Sequence, residues 1–151
     1  MEHLILKNNA ELGGPVPTSL GRLQGLQQLG IYNNNIEGTL PTELFQATNI
    51  KFINLQNNDL SGSLPHNIES LDRLETLVLM NNKFTGEVPF GGLSSTKVKF
   101  LGLSHNKFSG TISQMLGVLD RLEFLYLDGN SFSGVIPQTI SQLTHLSKYQ
   151  T

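Results

Sequence analysis

One stretch of the chain, from Ser104 to Asp128, brings together a hydroxyl, an imidazole and carboxylates that could act as a catalytic set. Ser104 and His105 are adjacent, and Asp120, Glu123 and Asp128 follow them. Such a set could support nucleophilic hydrolysis if an acid oriented the imidazole and the imidazole reached the hydroxyl. Adjacent side chains on a strand point to opposite faces unless a turn intervenes, and no acid is evidently placed to complete a triad. We therefore predict that the chain is not an enzyme.

Metal and cofactor chemistry also lack a sequence signal. The four histidines, His3, His66, His105 and His145, are far apart and do not have the spacing of a metal site. The chain has no cysteine, which excludes disulfides, thiolate metal sites and a cysteine nucleophile. No glycine-rich phosphate loop of the GxGxxG type is present. We expect no metal and no cofactor.

Charge and hydropathy exclude two further kinds of partner. Lys plus Arg is 10 against 12 for Asp plus Glu, so the net charge of −2 gives no electrostatic reason to expect nucleic acid. The longest apolar runs are far shorter than a membrane-spanning helix requires, so we expect no membrane segment in this chain. The opening residues, MEHLILKNNA, lack the basic start, long apolar region and cleavage site of a signal peptide.

The chain is built from an internal repeat of 24 residues, and this repeat supplies the elements that position the side chains. A looser first copy of 25 residues starts at Met1 and has one extra residue between Asn9 and Val16. We treat residues 1–151 as one repeat domain, and we expect it to be part of a longer chain. Its repeats start near residues 1, 26, 50, 74, 98 and 122, with a partial repeat from residue 146.

Each unit combines a short strand with a chain-breaking segment. In LETLVLMNN, which starts at Leu74, Leu77 and Leu79 alternate with variable residues, as in a strand with its leucines turned inward. Regularly spaced glycines and prolines would interrupt a long helix. They are Gly38, Gly62, Gly86, Gly110 and Gly134, and Pro41, Pro65, Pro89 and Pro137. Because one strand cannot bury its own apolar side, stacked units must share a core.

Two further sets of residues recur at the same place in each repeat unit, and we call each such set a register. Both registers are predicted to be structural. Buried asparagine amides must be hydrogen-bonded, so we expect one asparagine in each unit to bind the backbone of neighbouring coils. These are Asn9, Asn34, Asn58, Asn82, Asn106 and Asn130. Two residues after the asparagine, we expect an internal apolar spine made of Leu60, Phe84, Phe108 and Phe132.

Two coils depart from the pattern. Ser113 stands where the other units have proline. In PFGGLSSTKV, from Pro89 to Val98, the expected leucine is displaced to Leu93 and the next one is replaced by Ser95. We expect this coil to be looser on its convex side.

The 24-residue unit and its LxGxxPxxL motif resemble the leucine-rich repeats. Within that family the unit looks like the plant-type subclass of receptor-kinase ectodomains and polygalacturonase-inhibitor-like proteins, and the likeness covers about Met1 to Leu146. The resemblance implies an α/β solenoid of about six repeats: a curved right-handed superhelix with a concave parallel β-sheet and convex 3₁₀ or irregular segments. It also implies a non-catalytic recognition module of a receptor-like, defence or signalling protein. An extracellular or cell-surface location follows from the family, while the missing signal peptide makes the cytoplasm the alternative.

Function should lie on the variable positions of the concave face. Several of these are large aromatic or amphipathic residues with polar neighbours, the usual mark of an interface. We predict a partner-binding surface made of Tyr32, Phe52, Gln56, Met80, Phe100, Phe124, Tyr126 and Asp128. The expected partner is a protein or peptide, and a carbohydrate also fits because aromatic patches serve either. The same aromatics could instead stabilise neighbouring strands or be covered by another domain.

Two other functions stay open. Some plant-type leucine-rich repeat proteins bind ice, and Asn8, Asn33, Asn57 and Asn81 form a regular polar row that His105 and Gly129 interrupt. The chain could also be a purely structural spacer. Terminal units without polar caps predict either a continuation of the chain or end-to-end self-association.

Overall fold

The computed structural model describes residues 1–94 and 96–150, with the backbone alone for Tyr149. Ten strands lie within these residues: β1 His3–Pro15, β2 Gln28–Thr39, β3 Phe52–Asn54, β4 Asp59–Gly62, β5 Thr76–Val78, β6 Lys83–Gly86, β7 Phe100–Gly102, β8 Lys107–Phe108, β9 Phe124–Tyr126 and β10 Lys148–Gln150. The 3₁₀ helices span Thr18–Arg22, Thr42–Gln46, His66–Ser70, Gln114–Val118 and Gln138–Gln142. A short α-helix, α1, spans Phe90–Leu93.

The concave sheet is parallel and follows the repeat. Its strands lie in the order β1, β2, β3, β5, β7, β9 and β10. Phe52 pairs with Thr76, Thr76 with Phe100, and Phe100 with Phe124, so paired residues are one 24-residue unit apart. Equivalent residues of successive units therefore form columns across the sheet. The sheet is curled, and the predicted leucine-rich repeat solenoid with 3₁₀ segments on its return side is confirmed.

A second parallel ladder runs beside the first and is not anticipated by the sequence pattern. The end of β2 pairs with β4, β4 with β6, and β6 with β8. An isolated bridge between Thr111 and Ser133 extends it by one coil. These strands carry the predicted apolar spine, in which Leu60, Phe84 and Phe108 are fully buried and Phe132 is partly buried. The rings of Phe84 and Phe108 stack with centroids 5.9 Å apart.

The core lies between the concave sheet and the 3₁₀ segments. Leu77 and Leu79 are both buried, as their alternation predicts, and equivalent residues in the neighbouring strands are buried with them. From the opposite side, Leu44, Ile68 and Leu116 of the 3₁₀ helices fill the same core. Burying each such side chain contributes about 1.5–3 kcal/mol before the conformational entropy of ordering it is subtracted.

The asparagine register is confirmed as scaffold at Asn34, Asn58, Asn82, Asn106 and Asn130, whereas Asn9 is exposed and its Nδ2 donates to the Lys7 carbonyl of its own coil. Asn82 donates from Nδ2 to the carbonyl oxygens of Leu55 (2.9 Å) and Leu79 (3.1 Å), and its Oδ1 accepts from the Leu60 N–H (3.0 Å). Asn58 and Asn106 make equivalent bonds one coil to either side. Each amide therefore connects its own coil to the preceding one while satisfying its own buried donor and acceptor.

The glycine register has a conformational cause. The glycines at 14, 38, 62, 86, 110 and 134 have φ between 75° and 84°. At Gly62 an added Cβ would lie 2.7 Å from Thr39 Cγ2, so both the backbone angle and the adjacent coil favour glycine. These residues turn the chain at the end of the second ladder, which is why they recur once per unit.

Departures from the repeat are absorbed locally. The extra residue of the first copy coincides with a register irregularity in β1 between Asn9 and Gly13. Ser113 caps its 3₁₀ helix by accepting a hydrogen bond from the Met115 N–H at 3.2 Å, whereas the proline caps make no side-chain bond. The coil of Phe90–Leu93 is not loose at the displaced leucine, because Phe90 and Leu93 are both buried. Ser95 lies outside the described residues.

Candidate functional site

The predicted binding residues all lie on the concave strands or directly after them. Tyr32, Phe52, Gln56, Met80, Phe100, Phe124, Tyr126 and Asp128 are half-buried, so each combines a contact with the sheet and an accessible surface. They do not form one compact cluster. Tyr32 lies on β2, three strand spacings or about 14 Å from the aromatics of β7.

An aromatic cluster forms the densest part of this face. Phe100 lies 5.6 Å from Phe124 and 5.5 Å from Tyr126 between ring centroids, with interplanar angles of 31° and 34°. The contacts follow from the sheet register, because Phe100 pairs with Phe124 and Gly102 pairs with Tyr126. Tilted ring pairs at such distances are worth about 0.5–1.5 kcal/mol beyond their buried area. We call Phe100, Phe124 and Tyr126 the aromatic cluster.

Gly102 forms a notch beside the aromatic cluster. An added Cβ at Gly102 would lie 2.6 Å from Met80 Cε and 3.1 Å from the Phe100 ring. Met80 and Phe100 therefore lie directly over the backbone of β7. Sequence reasoning assigned no role to Gly102, although a glycine inside a strand often indicates such a close approach. Gly30 is covered in the same way by Ile5 and Tyr32.

A polar group of three residues borders the cluster. Asp128 accepts a short hydrogen bond from the Ser104 hydroxyl, and its other oxygen lies 3.5 Å from His105 Nε2. The φ of 55° at His105 provides the turn that directs both side chains to the same carboxylate. Ser104 and His105 therefore do not diverge as they would on a continuous strand, because a turn intervenes at His105. The carboxylate lies between hydroxyl and imidazole, whereas a hydrolytic triad needs the imidazole in the middle.

Two lysine side chains lie over aromatic rings of the concave face. The ammonium of Lys148 lies 5.7 Å from the Tyr126 ring centroid, and that of Lys7 lies 6.0 Å from the Tyr32 ring. Among residues 1–94 and 96–150, no three histidine or acidic side chains gather to hold a metal ion. Over the same residues, no helix has the length and apolar character needed to cross a membrane.

The row of asparagines at the edge of the concave face is set by its backbone. Asn8, Asn33, Asn57 and Asn81 have φ between 54° and 59°, a left-handed conformation that asparagine adopts more readily than most residues. Asn33 Nδ2 donates to Asn8 Oδ1 at 2.7 Å, and Asn57 Nδ2 donates to Asn33 Oδ1 at 2.6 Å. The left-handed backbone conformation is therefore sufficient to explain why asparagine recurs in this row, without any ligand.

Comparison with known proteins assigns the family. The leucine-rich repeat family model matches residues 25–47, 49–71, 97–119 and 121–143, which together are more than half of the chain. The chain belongs to the leucine-rich repeat family. None of the curated proteins compared with it gives a significant match.

Solved structures of plant proteins share this leucine-rich repeat fold. The ectodomain of the Arabidopsis thaliana receptor kinase GASSHO1/SCHENGEN3, in complex with CASPARIAN STRIP INTEGRITY FACTOR 2, is 35% identical with a TM-score of 0.93. The match covers 97% of this chain and 17% of that one. The Arabidopsis receptor kinase HAESA, in complex with the peptide hormone IDA and the co-receptor SERK1, is 30% identical with a TM-score of 0.92. It covers 99% of this chain and 25% of that one.

A plant ice-binding protein has the same fold. It is 30% identical with a TM-score of 0.87, and the match covers 92% of this chain and 45% of that one. The chain thus spans a quarter or less of the two receptor chains and less than half of the ice-binding protein.

Proposed function

We propose that this leucine-rich repeat chain is a non-catalytic recognition module that binds a peptide or an extended protein segment on its concave face. The observation that carries the proposal is the aromatic cluster, whose rings are half-buried and therefore remain accessible on the concave face. HAESA was crystallised with the peptide hormone IDA, and GASSHO1/SCHENGEN3 with CASPARIAN STRIP INTEGRITY FACTOR 2, which supports the use of this fold for ligand recognition. An extracellular or cell-surface location is proposed on the same ground.

The cluster supplies rigid apolar area with polar groups on both sides. Aromatic anchors in a partly desolvated setting carry much of the binding energy at protein interfaces. Asp128 and His105 border the cluster on one side, and Lys148 borders it on the other. A ligand would place an apolar side chain on the rings and its polar groups toward these neighbours. Tyr32, Phe52, Gln56 and Met80 extend the surface across the sheet.

Replacing Phe100 and Phe124 with serine tests the proposal. Peptides are first selected on the wild-type chain from a displayed random library, and their Kd values are then measured by calorimetry on both proteins. We expect the double variant to bind at least about tenfold more weakly, because losing even one aromatic hot spot costs about 2 kcal/mol or more. Val135→Ser, at a side chain that is 84% exposed away from the cluster, is the control. Unchanged affinity in a folded double variant would refute the aromatic cluster as the site.

Methionine methyl NMR gives a second readout of the same site. The chain has three methionines, of which Met80 covers the Gly102 notch and Met115 is exposed on a 3₁₀ helix. A selected peptide should shift the Met80 methyl signal and leave the Met115 signal in place. The reverse pattern would move the binding site to the return side of the solenoid.

Ice binding is a second candidate, favoured by the amide row of Asn8, Asn33 and Asn57 and by the likeness to a plant ice-binding protein. The protruding aromatic cluster and His105 argue against it, because ice binding needs a flat and regular face. Thermal hysteresis of the purified chain separates the two functions. A chain that neither selects peptides nor shows thermal hysteresis would be a structural spacer.

A further inference from the structure

A charged edge runs along the solenoid just before the concave strands and forms two notches. The first is lined by Lys51, Arg73, Glu75 and Lys97 and has a volume of about 360 Å³. The second is lined by Lys99, Arg121, Glu123 and His145 and has a volume of about 190 Å³. Neither notch includes a residue of the aromatic cluster, so the edge is a separate surface.

The two notches are copies of each other. Each residue of the second lies 48 positions, or two repeat units, after its counterpart in the first. Lysine, arginine and glutamate recur unchanged in the first three places, and the fourth changes from Lys97 to His145. Along one register of this edge lysine and glutamate alternate, as Lys51, Glu75, Lys99 and Glu123, and Lys99 Nζ pairs with Glu75 at 3.3 Å. The charge pattern of this edge thus repeats every two coils, while the fold repeats every coil.

The edge is strongly positive in an acidic protein. Its linings contain five of the ten lysines and arginines of the chain and two carboxylates, an excess of three positive charges against a net −2 for the whole chain. Asp72 and Asp120 are close in sequence but are not part of either lining. Because Glu75 pairs with Lys99 of the second notch, Lys51, Arg73 and Lys97 supply the positive charge of the first notch, and Arg121 shares the second notch with Glu123.

Two of the basic side chains that line the notches are held in place. Arg73 Nη1 donates to Asn49 Oδ1 at 2.7 Å, which orients the guanidinium. His145 Nδ1 lies 2.9 Å from the Asp120 carbonyl oxygen and must donate to it, since a carbonyl only accepts.

The spacing of the notches specifies the ligand geometry. Parallel strands lie about 4.8 Å apart, so notches two coils apart are separated by roughly 9.6 Å. A polyproline II helix has three residues per turn and rises about 3.1 Å per residue, which places residues three apart on one face about 9.3 Å from each other. We propose that this edge binds an acidic segment of a partner protein in polyproline II conformation, with carboxylates three residues apart entering one notch each.

The probe is the capped peptide Ac-Glu-Pro-Pro-Glu-NH2, titrated into the ¹⁵N-labelled chain and followed by NMR. Its affinity should exceed that of Ac-Gln-Pro-Pro-Glu-NH2 by about tenfold, because the second carboxylate binds as a tethered group. Binding should weaken as salt shortens the Debye length. Ac-Glu-Pro-Glu-NH2, with carboxylates on different faces, should bind no better than the singly charged peptide. Equal affinity for all three peptides would overturn the spacing argument.

Charge-reversal variants locate the site. Arg73→Glu and Arg121→Glu should each reduce the affinity for the doubly acidic peptide to that for the singly acidic one. Arg22→Glu, the same change at an exposed residue outside both notches, should leave it unchanged. His145→Lys converts the second notch into a copy of the first and should raise the affinity several-fold, a gain that misfolding cannot mimic. Unchanged affinity in folded Arg73→Glu and Arg121→Glu variants would refute the proposal.

Two further measurements distinguish binding at this edge from binding at the concave face and from binding of a glycan. The Phe100→Ser and Phe124→Ser double variant should bind the acidic peptide normally, so failure of the concave-face proposal and failure of this one are distinguishable. A short uronic-acid oligosaccharide tests a glycan as the occupant. If it shifts the signals of Arg73 and Arg121 at lower concentration than the peptide does, the protein-segment assignment is wrong.

Discussion

Asn82 contributes more to the fold than its polar side chain suggests. Its amide donates to three carbonyl oxygens and accepts from one N–H group across two coils, and the residue is 9% exposed. A buried backbone group that loses its partner costs about 1–3 kcal/mol, and the Leu60 N–H is the group that depends on Asn82 as its acceptor.

We expect Asn82→Ala to lower the free energy of unfolding by about 1–3 kcal/mol, because the Leu60 N–H loses its acceptor, while the Leu55 and Leu79 carbonyls still accept from Asn58 and Asn106. Urea denaturation followed by circular dichroism measures this. Asn57→Gly is the matched control, since its exposed amide bonds Asn33 alone and its φ of 54° suits glycine. A loss for Asn82→Ala no larger than that for Asn57→Gly would contradict the scaffold role.

The positions of individual side chains could be predicted only where they do not depend on an unusual backbone angle. The asparagine register was predictable because amide chemistry and a strict period point to one role. The convergence of Ser104 and His105 on Asp128 was not, because it depends on the positive φ at His105. The Gly102 notch depends on how Met80 and Phe100 lie, which no periodicity determines.

Among the elements, the 3₁₀ helix Gln114–Val118 differs from the others in its cap. Ser113 has φ −63° and ψ 148°, the geometry that the proline caps adopt, but it adds a side-chain hydrogen bond to the Met115 N–H. Proline stabilises by restricting the unfolded chain, whereas serine stabilises by satisfying a donor of the folded helix.

The two mechanisms stabilise the fold by similar free energies, and a pair of substitutions at Ser113 measures each contribution separately. Ser113→Ala removes the cap and should lower the free energy of unfolding by about 1 kcal/mol. Ser113→Pro should recover most of this loss, because proline at a compatible φ contributes about 0.4–1 kcal/mol. Chemical denaturation of the three proteins gives the comparison. A proline variant less stable than the alanine variant would mean that the backbone of this coil does not accept the common cap.

Element types were predictable where the repeat is regular. The concave strands follow from the alternation of leucines, and the 3₁₀ returns follow from the resemblance to the leucine-rich repeats. The second ladder was missed because β4, β6 and β8 are short and two of them end in glycine. The helix Phe90–Leu93 was missed because two of its four residues are glycines, which disfavour helices in isolation. Burial of Phe90 and Leu93 outweighs that preference.

As a whole, the molecule is held together by contacts between adjacent coils. Each strand and each 3₁₀ helix packs against the equivalent element of the next coil, and contacts between distant coils are lacking among the described elements. In such a one-dimensional array, stability is a sum of unit and neighbour terms, and a unit with one neighbour is held less firmly. Leu64, in a unit with neighbours on both sides, is 2% exposed, and the equivalent Ile136 in the last full unit is 62% exposed.

Amide hydrogen exchange should report this gradient. For the 151-residue chain we expect the slowest exchange in β5 and β7, which have paired strands on both sides, and faster exchange in β10 and in Gln138–Gln142. Mass spectrometry of peptic fragments resolves these segments. Uniform protection along the chain would show that it unfolds as a single cooperative unit. End-to-end self-association stays a prediction, and it would raise protection at the ends as protein concentration increases.

The strict pairing of residues 24 positions apart has an evolutionary consequence. Duplicating or deleting one whole unit leaves every remaining column, amide bond and glycine turn in register, so the gene can change length without disturbing the fold. Inserting a unit between the two charged notches would move them apart by one strand spacing, about 4.8 Å. Recombination alone could thus alter the distance between anchoring points on a ligand without the invention of any new side-chain chemistry.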